Sequence, residues 1–337
     1  MQMRNLTASG PRVSAIGYWV GRTGPERPGL AETAPHWDED RGARDSPEAT
    51  ARHALGLGIN FFHGGARAPD PSAPDPPGDV ALKAILRETD GDGERRAHVA
   101  VAIEPQPGKM PPSPYCRWQD RYPAASVRAG LETRLRSLNT DHVDLVLLAQ
   151  WGRAWNDDPQ PLLVLRRLRE EGKLGWIGVC VPPHDQNVAV QLMRDGMIDV
   201  VQLRLHLTHQ DPVAQLLPVA AETGCGVIVD GRPRAGGRAP RQAIEEDLNA
   251  CGLAGALTPD ELELAFQLAQ PAVGTVVRPF QGPAEIDRVL RIAQRPPLSD
   301  DLLARLRRYD NSGMLHADTS RSTRRPPETQ RPPEASP

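Results

Sequence analysis

The 337-residue chain has little of what extracellular, membrane or nucleic-acid-binding proteins rely on. Its four cysteines, Cys116, Cys180, Cys225 and Cys251, have no paired spacing. That suits free thiols in a reducing cytosol better than a disulfide framework. Residues 1–10 have no apolar signal core, and no run approaches the roughly 18 apolar residues of a membrane span. A cytoplasmic protein without a membrane contact is the expectation. Charge of one sign is lacking as well. With 40 basic and 43 acidic residues the net charge is −3, so no face is set up for nucleic acid. No order or spacing suggests a Ser/His/Asp triad or a nucleic-acid motif.

What is present is alternation. Short β-branched runs occupy residues 15–18, 59–62, 98–104 (HVAVAIE), 143–148 (VDLVLL), 176–181 (WIGVCV), 200–205 (VVQLRL), 226–230 (GVIVD) and 274–277 (GTVV). Helical material follows each of them. Leu131, Leu135 and Leu138 form one helical stripe, and Leu162, Leu165 and Leu168 mark another over residues 161–174, closed by Gly172. Ser46-Pro47-Glu48-Ala49 reads as an N-cap followed by proline at the first helical position. Eight such units predict an α/β fold, a (β/α)8 barrel, which typically needs about 250 residues. Most of the 35 prolines fall between the units. The Pro/Gly-rich stretches 22–44, 68–77, 105–123 and 232–241 read as loops at the strand-to-helix ends, where such barrels carry function. The domain division is residues 1–315 for the barrel and 316–337 for a Pro/Arg-rich tail, whose composition predicts disorder.

Five segments carry a family resemblance. Residues 58–66 (GINFFHGGA), the opening residues 4–17, residues 127–148 (VRAGLETRLRSLNTDHVDLVLL), residues 168–179 (LREEGKLGWIGV) and residues 224–228 (GCGVI) occur in order at matching spacing. Together they resemble the aldo-keto reductases over roughly residues 1–310. The resemblance implies the same barrel with an N-terminal β-hairpin, NADP-dependent carbonyl reduction, and a tetrad of aspartate, tyrosine, lysine and histidine.

Residue by residue, the resemblance does not carry the chemistry over. The tetrad aspartate position is His63 and the tyrosine position is Ala68. The lysine position is Glu104, and the histidine position is Ala149, or Gln150 with a one-residue slip. Alanine and glutamate supply neither the proton nor the charge stabilisation that the reaction needs. The tyrosine that stacks on nicotinamide maps to Asp230, and the Ser-Pro-Leu after it to Gly231-Arg232-Pro233. The pair that grips the carboxamide maps to Cys180-Val181, while its glutamine partner survives as Gln202. The phosphate loop near the last strand reads Arg278-Pro279-Phe280. The expectation is therefore no NADPH binding or a weak one, with Gln202, Arg232 and Arg278 as the residues left to contact a cofactor, and Arg234 and Arg238 as further cations. An ion pair from Asp230 to Arg232, Arg204 or Arg278 would close the nicotinamide slot. An aromatic floor from Trp19 or Phe280 beside an open groove would argue the reverse.

The strand ends are expected to gather His63, Glu104, Cys180, His206, Asp230 and Arg278 around one mouth. The candidate catalytic set is His63, Glu104, Asp230 and His206. A His63–Glu104 acid/base pair requires contact at about 2.6–3.2 Å, or through one water; the other reading of the pair is structural. His206, His209 and Asp211 resemble a ligand cluster, but residues i and i+3 of a strand face opposite sides, so no metal is expected. His184-Asp185 reads as a turn and helix cap. Trp151 and Trp155 either wall a binding pocket or pack against the rim. Arg234-Ala235-Gly236-Gly237-Arg238 lacks phosphate-loop spacing. The function these residues imply is an aldo-keto reductase-like protein with degenerate tetrad and cofactor sites, catalytically silent or turned to non-redox chemistry, with a small molecule or a protein as partner. The alternative is an NAD(P)H-dependent oxidoreductase acting on a small carbonyl through a non-standard site.

Overall fold

The structure, a computed structural model, describes residues 1–20, 46–65, 76–89, 96–107, 116–182, 185–231, 241–253 and 255–310. The Arg232, Arg234 and Arg238 candidates, Ala68, His184, most of the proline-rich loops and the tail lie outside the described residues.

A two-stranded antiparallel hairpin opens the chain, β1 (Met3–Asn5) and β2 (Arg12–Ser14). Eight parallel strands then close into a barrel in the order β10-β3-β4-β5-β6-β7-β8-β9. They are β3 (Ile16–Val20), β4 (Phe61–Gly64), β5 (His98–Ile103), β6 (Val143–Leu148), β7 (Leu174–Cys180), β8 (Val200–Leu203), β9 (Gly226–Asp230) and β10 (Thr275–Arg278). The (β/α)8 expectation holds, including the eighth unit, β10 followed by the helix Pro283–Ala293.

Side-chain alternation with a period of two divides the core. Phe61, Ala100, Ala102, Leu145, Leu147, Val200, Ile228 and Val277 fill the barrel interior. Their neighbours Phe62, Val99, Val101, Val146, Val201, Val227, Val229 and Val276 pack under the helices. Leu6 and Val13 of the hairpin join the interior group and plug the N-terminal end. Asn60, just before β4, fixes that plug: its Oδ1 accepts from Ser14 N at 2.7 Å and its Nδ2 donates to Arg12 O at 2.9 Å. Interior packing leaves no room for a side chain at Gly178. A Cβ there would meet Val200 O at 2.5 Å and Leu147 Cδ2 at 2.6 Å.

The helices behave as their sequences suggest. Helix α1 (Pro47–Gly56) starts at Ser46, whose side chain accepts from Ala49 N, with proline in the first turn. Helices α2 (Pro77–Ile85), α3 (Trp118–Arg121) and α4 (Ala124–Leu138) follow. Helix α5 (Gln160–Glu170) is shorter than the 161–174 stripe predicts. Gly172 adopts φ 78°, which ends the helix, and Leu174 already belongs to β7. Then come α6 (Ala189–Arg194), α7 (Asp211–Ala214), α8 (Leu216–Thr223), α9 (Arg241–Ala250), α10 (Pro259–Leu268), α11 (Pro283–Ala293) and α12 (Asp300–Leu306). Among the described residues no helix is long and apolar enough to cross a membrane. None of the four cysteines is in a disulfide. Burial pushes the Cys225 thiol up to about 12, which keeps it protonated and unreactive at neutral pH.

Candidate functional site

The interior face ends, at the strand C-termini, in a polar layer. Trp19 (β3), His63 (β4), Cys180 (β7), Gln202 (β8) and Asp230 (β9) continue the alternation set by Phe61, Val200 and Ile228. His63 is 1% exposed and Gln202 4% exposed, and His63 Nε2 lies 3.0 Å from Gln202 Oε1. Strand β4 stands third and β8 seventh in the ring of eight, so this hydrogen bond crosses the barrel between opposite walls. The amide oxygen can only accept, so Nε2 carries the proton in that bond. Trp19 lies against the same imidazole, with ring centroids 4.6 Å apart and planes inclined by 43°. Cys180 is the register partner of Gln202 and packs on the interior cluster beside it.

A second polar link lies at Asp230. Its carboxylate is buried, and Oδ2 is 3.4 Å from Nε of Arg204, whose side chain is 38% exposed. Of the arginines proposed for Asp230, Arg204 and Arg278 are among the described residues, and of these two Arg204 makes the ion pair. The Arg204 amide donates to Gln186 Oε1 at 2.9 Å, which fixes the backbone where β8 ends. Gln202 and Arg204 are two residues apart and face the same side, so one strand end supplies both links.

Three of the gathered residues do not reach this layer. Glu104 lies just beyond β5 and is exposed. In the β4–β5 register His63 faces Ala100, four positions before Glu104, which is roughly 13 Å of extended chain. Among the described residues no hydrogen bond or ion pair joins His63 to Glu104, and His63 Nε2 is engaged by Gln202. Arg278 follows the interior Val277 and therefore points outward, under the helices. His206 lies past the end of β8, where the chain folds back through an antiparallel bridge between His206 and His209. That turn ends β8 at Leu203 rather than 205, and His206 Nδ1 pairs with Glu263 of α10 outside the barrel.

The aromatic residues after β6 are rim packing. Trp151 and Trp155 are buried and meet edge to face at 5.5 Å, and Trp155 meets Tyr122 in the same way at 5.9 Å. Trp151 Nε1 donates to Asn156 Oδ1 and Trp155 Nε1 to Cys116 O. Tyr122 Oη donates to Ile103 O and accepts from Gln150 N at 3.1 Å, which joins the ends of β5 and β6. Its phenol is held far above the ordinary tyrosine range, chiefly by burial. Trp19 is packed on His63 and Phe280 on Tyr18, the latter at 5.2 Å between ring centroids.

One support of the layer has no counterpart in the sequence reading. Behind β4, Arg134 of α4 makes two bonds to Asp79 of α2, at 2.8 and 2.9 Å, and a third to Gly64 O at 3.2 Å. Ser137 Oγ adds a 2.6 Å bond to Asp79. The signal was available: Arg134 sits on the apolar stripe of α4, between Leu131 and Leu135, where an unmatched charge is out of place. For Tyr122, alone after a proline-rich stretch, the sequence holds no such signal.

A sequence model described as the aldo/keto reductase family matches residues 29–311. The chain belongs to the aldo/keto reductase family. L-galactose dehydrogenase of Arabidopsis thaliana is 25% identical to it over 234 residues, spanning 68% of this chain and 64% of that protein. Among solved structures, the aldo-keto reductase AKR11C1 from Bacillus halodurans superposes with a TM-score of 0.65 in its holo form, at 19% identity over 93% of this chain and 97% of that one. Its apo form gives 0.63 at 17% identity, with the same coverage. At that identity the likeness speaks for the fold, which for this aldo/keto reductase agrees with the closed barrel and its N-terminal hairpin.

Proposed function

We propose that this aldo/keto reductase-family barrel does not reduce carbonyls by the family mechanism and does not hold NADPH in the family pose. The hydrogen bond from His63 to Gln202 carries the reading. By resemblance Gln202 is the residue that would grip the nicotinamide carboxamide, and its amide oxygen is already engaged by an imidazole from the opposite wall. Where an aromatic ring would cover the nicotinamide stands the buried Asp230, tied to Arg204. Losing such a stack forgoes about 0.5–1.5 kcal/mol beyond burial. Covering the carboxylate with a ring adds a desolvation cost. The residues present do not fit the dinucleotide.

Glu104, at the lysine position, is exposed and remote from His63, which weighs against an acid/base pair. What remains is a barrel whose mouth presents Cys180, Arg204 and Asp230 to a small molecule, or whose rim meets a protein partner. Thiols without disulfides fit this reading in the cytoplasm. The competing oxidoreductase reading draws on the dehydrogenase named above, 25% identical. Asp230→Tyr probes the slot in solution. If the slot is otherwise intact, the variant gains NADPH affinity, seen as a change in nicotinamide fluorescence. If the His63–Gln202 bond is the barrier, the variant gains none until His63→Ala is added. A wild-type protein that already binds as tightly as either variant would end the proposal.

A further inference from the structure

One residue interrupts an otherwise buried stretch at the end of β8. From Val200 to Gln210 every residue is buried except Arg204, whose side chain is 38% exposed. A long cation has many rotamers, and holding it in one place costs entropy. Here the backbone beneath it is fixed on both sides. The Arg204 amide donates to Gln186 Oε1 at 2.9 Å, and Leu205 O accepts from Gln267 Nε2 at 2.7 Å. The chain then turns back through the His206–His209 bridge. The guanidinium is held as well: its Nε lies 3.4 Å from Oδ2 of Asp230, whose side chain is 6% exposed.

That arrangement uses one side of the fork. Arginine carries five N–H donors, and its two terminal nitrogens together match the two oxygens of a carboxylate. Nε makes the approach to Asp230, and among the described residues Nη1 and Nη2 have no hydrogen-bond partner. Neither nitrogen is sealed from solvent. A buried acid that steadies an arginine from behind leaves the front of the fork preorganised for a second, planar anion. Arg204 and Gln202 face the same side of the chain, so that front lies at the barrel mouth, beyond the His63–Gln202 bond.

We propose that the terminal edge of Arg204 is a binding seat for the carboxylate of a small organic acid at the barrel mouth, with Asp230 as the residue that positions it. Charge balance selects the class. Asp230 already offsets the single cation, so a monoanion adds one negative charge, whereas a phosphate dianion adds two beside a buried carboxylate. A neutral carbonyl accepts weaker hydrogen bonds than a carboxylate, and a cation is repelled. The inference rests on the reading that the mouth is open to a small molecule and not filled by a dinucleotide, and it names the class of that molecule.

The test titrates acetate into the nucleotide-free full chain at constant ionic strength, following backbone amides and the Arg204 Nε–H by NMR. Acetamide is the neutral control of the same shape. A saturable acetate shift centred on Arg204 and Leu205 is expected, with none from acetamide. Arg204→Lys keeps the charge and loses the fork, so it should bind acetate about tenfold or more weakly, as the loss of a charge-assisted hydrogen bond implies. Arg204→Gln should abolish the shift. That variant leaves Asp230 buried without this counter-charge and can unfold for that reason alone. Arg204→Gln combined with Asp230→Asn removes both charges, and it too should show no shift. The proposal is overturned if the wild type shows no saturable shift, if acetamide shifts it equally, or if inorganic phosphate binds more tightly than acetate. A shift that survives in the double variant overturns it as well. A parallel NADPH titration separates the seat from the cofactor reading. Binding of neither ligand overturns the seat alone, and NADPH binding together with the Arg204-dependent acetate shift overturns the cofactor reading alone. NADPH binding without an acetate shift overturns both.

Discussion

Asp79→Ala is expected to destabilise the fold by about 3–5 kcal/mol, the usual consequence of removing one member of a buried ion pair. Arg134 and Asp79 are both almost fully buried, with side chains 4% and 5% exposed. Burial alone would pull the Arg134 guanidinium below its usual range, and the Asp79 carboxylate opposes that pull. Without the carboxylate, Arg134 keeps its bond to Gly64 O but loses its counter-charge, and Ser137 loses an acceptor. The melting temperature should fall by roughly 5–10 °C, as measured by calorimetry or circular dichroism. Ser137→Ala removes one hydrogen bond of the same group and should cost about 1 kcal/mol. If Asp79→Ala costs no more than Ser137→Ala, the pair contributes little and β4 is held by apolar packing alone. Because Gly64 follows His63, loosening this network should also weaken the bond that crosses the barrel.

Trp155→Ala should cost about 3–5 kcal/mol, as large-to-small changes at fully buried aromatic positions do. The ring is 1% exposed, packs edge to face on Trp151 and Tyr122, and donates its N–H to Cys116 O. Its loss leaves a cavity, orphans a carbonyl and frees Tyr122, which joins the ends of β5 and β6. Under the pocket-wall reading of this tryptophan, alanine would leave stability nearly unchanged and alter ligand binding instead. Equilibrium denaturation separates the two. A loss below about 1 kcal/mol would mean that the rim re-closes around the gap.

Much of the barrel was legible because its signal is repetitive. Each strand is a short β-branched run, and Val143–Leu148 and Gly226–Asp230 match their predicted limits residue for residue. Ends moved where a local event outside the run decided them. Gly172 ended α5 before Leu174, and the His206–His209 turn cut β8 short. The site was less legible, since position along a strand tells which residues reach the mouth but not which way they face. Counting from Val277 would have turned Arg278 outward. Gln202 and Asp230 came from the family resemblance, which left three arginines open as partners of Asp230, whereas neither the Arg204 pairing nor the bond from His63 to Gln202 was legible. That bond links strands that are far apart in sequence and opposite in the ring. No spacing in a single sequence encodes a contact across a barrel.

That contact also sets the decisive measurement, a titration of the wild-type protein with NADPH while nicotinamide fluorescence is followed, together with an assay for reduction of simple aldehydes. If His63 holds Gln202 and Arg204 holds Asp230 across the slot, there is no saturable change in the micromolar range and no turnover above the buffer rate. Saturable micromolar binding accompanied by aldehyde reduction would contradict the account and return this barrel to the working reductases of its family.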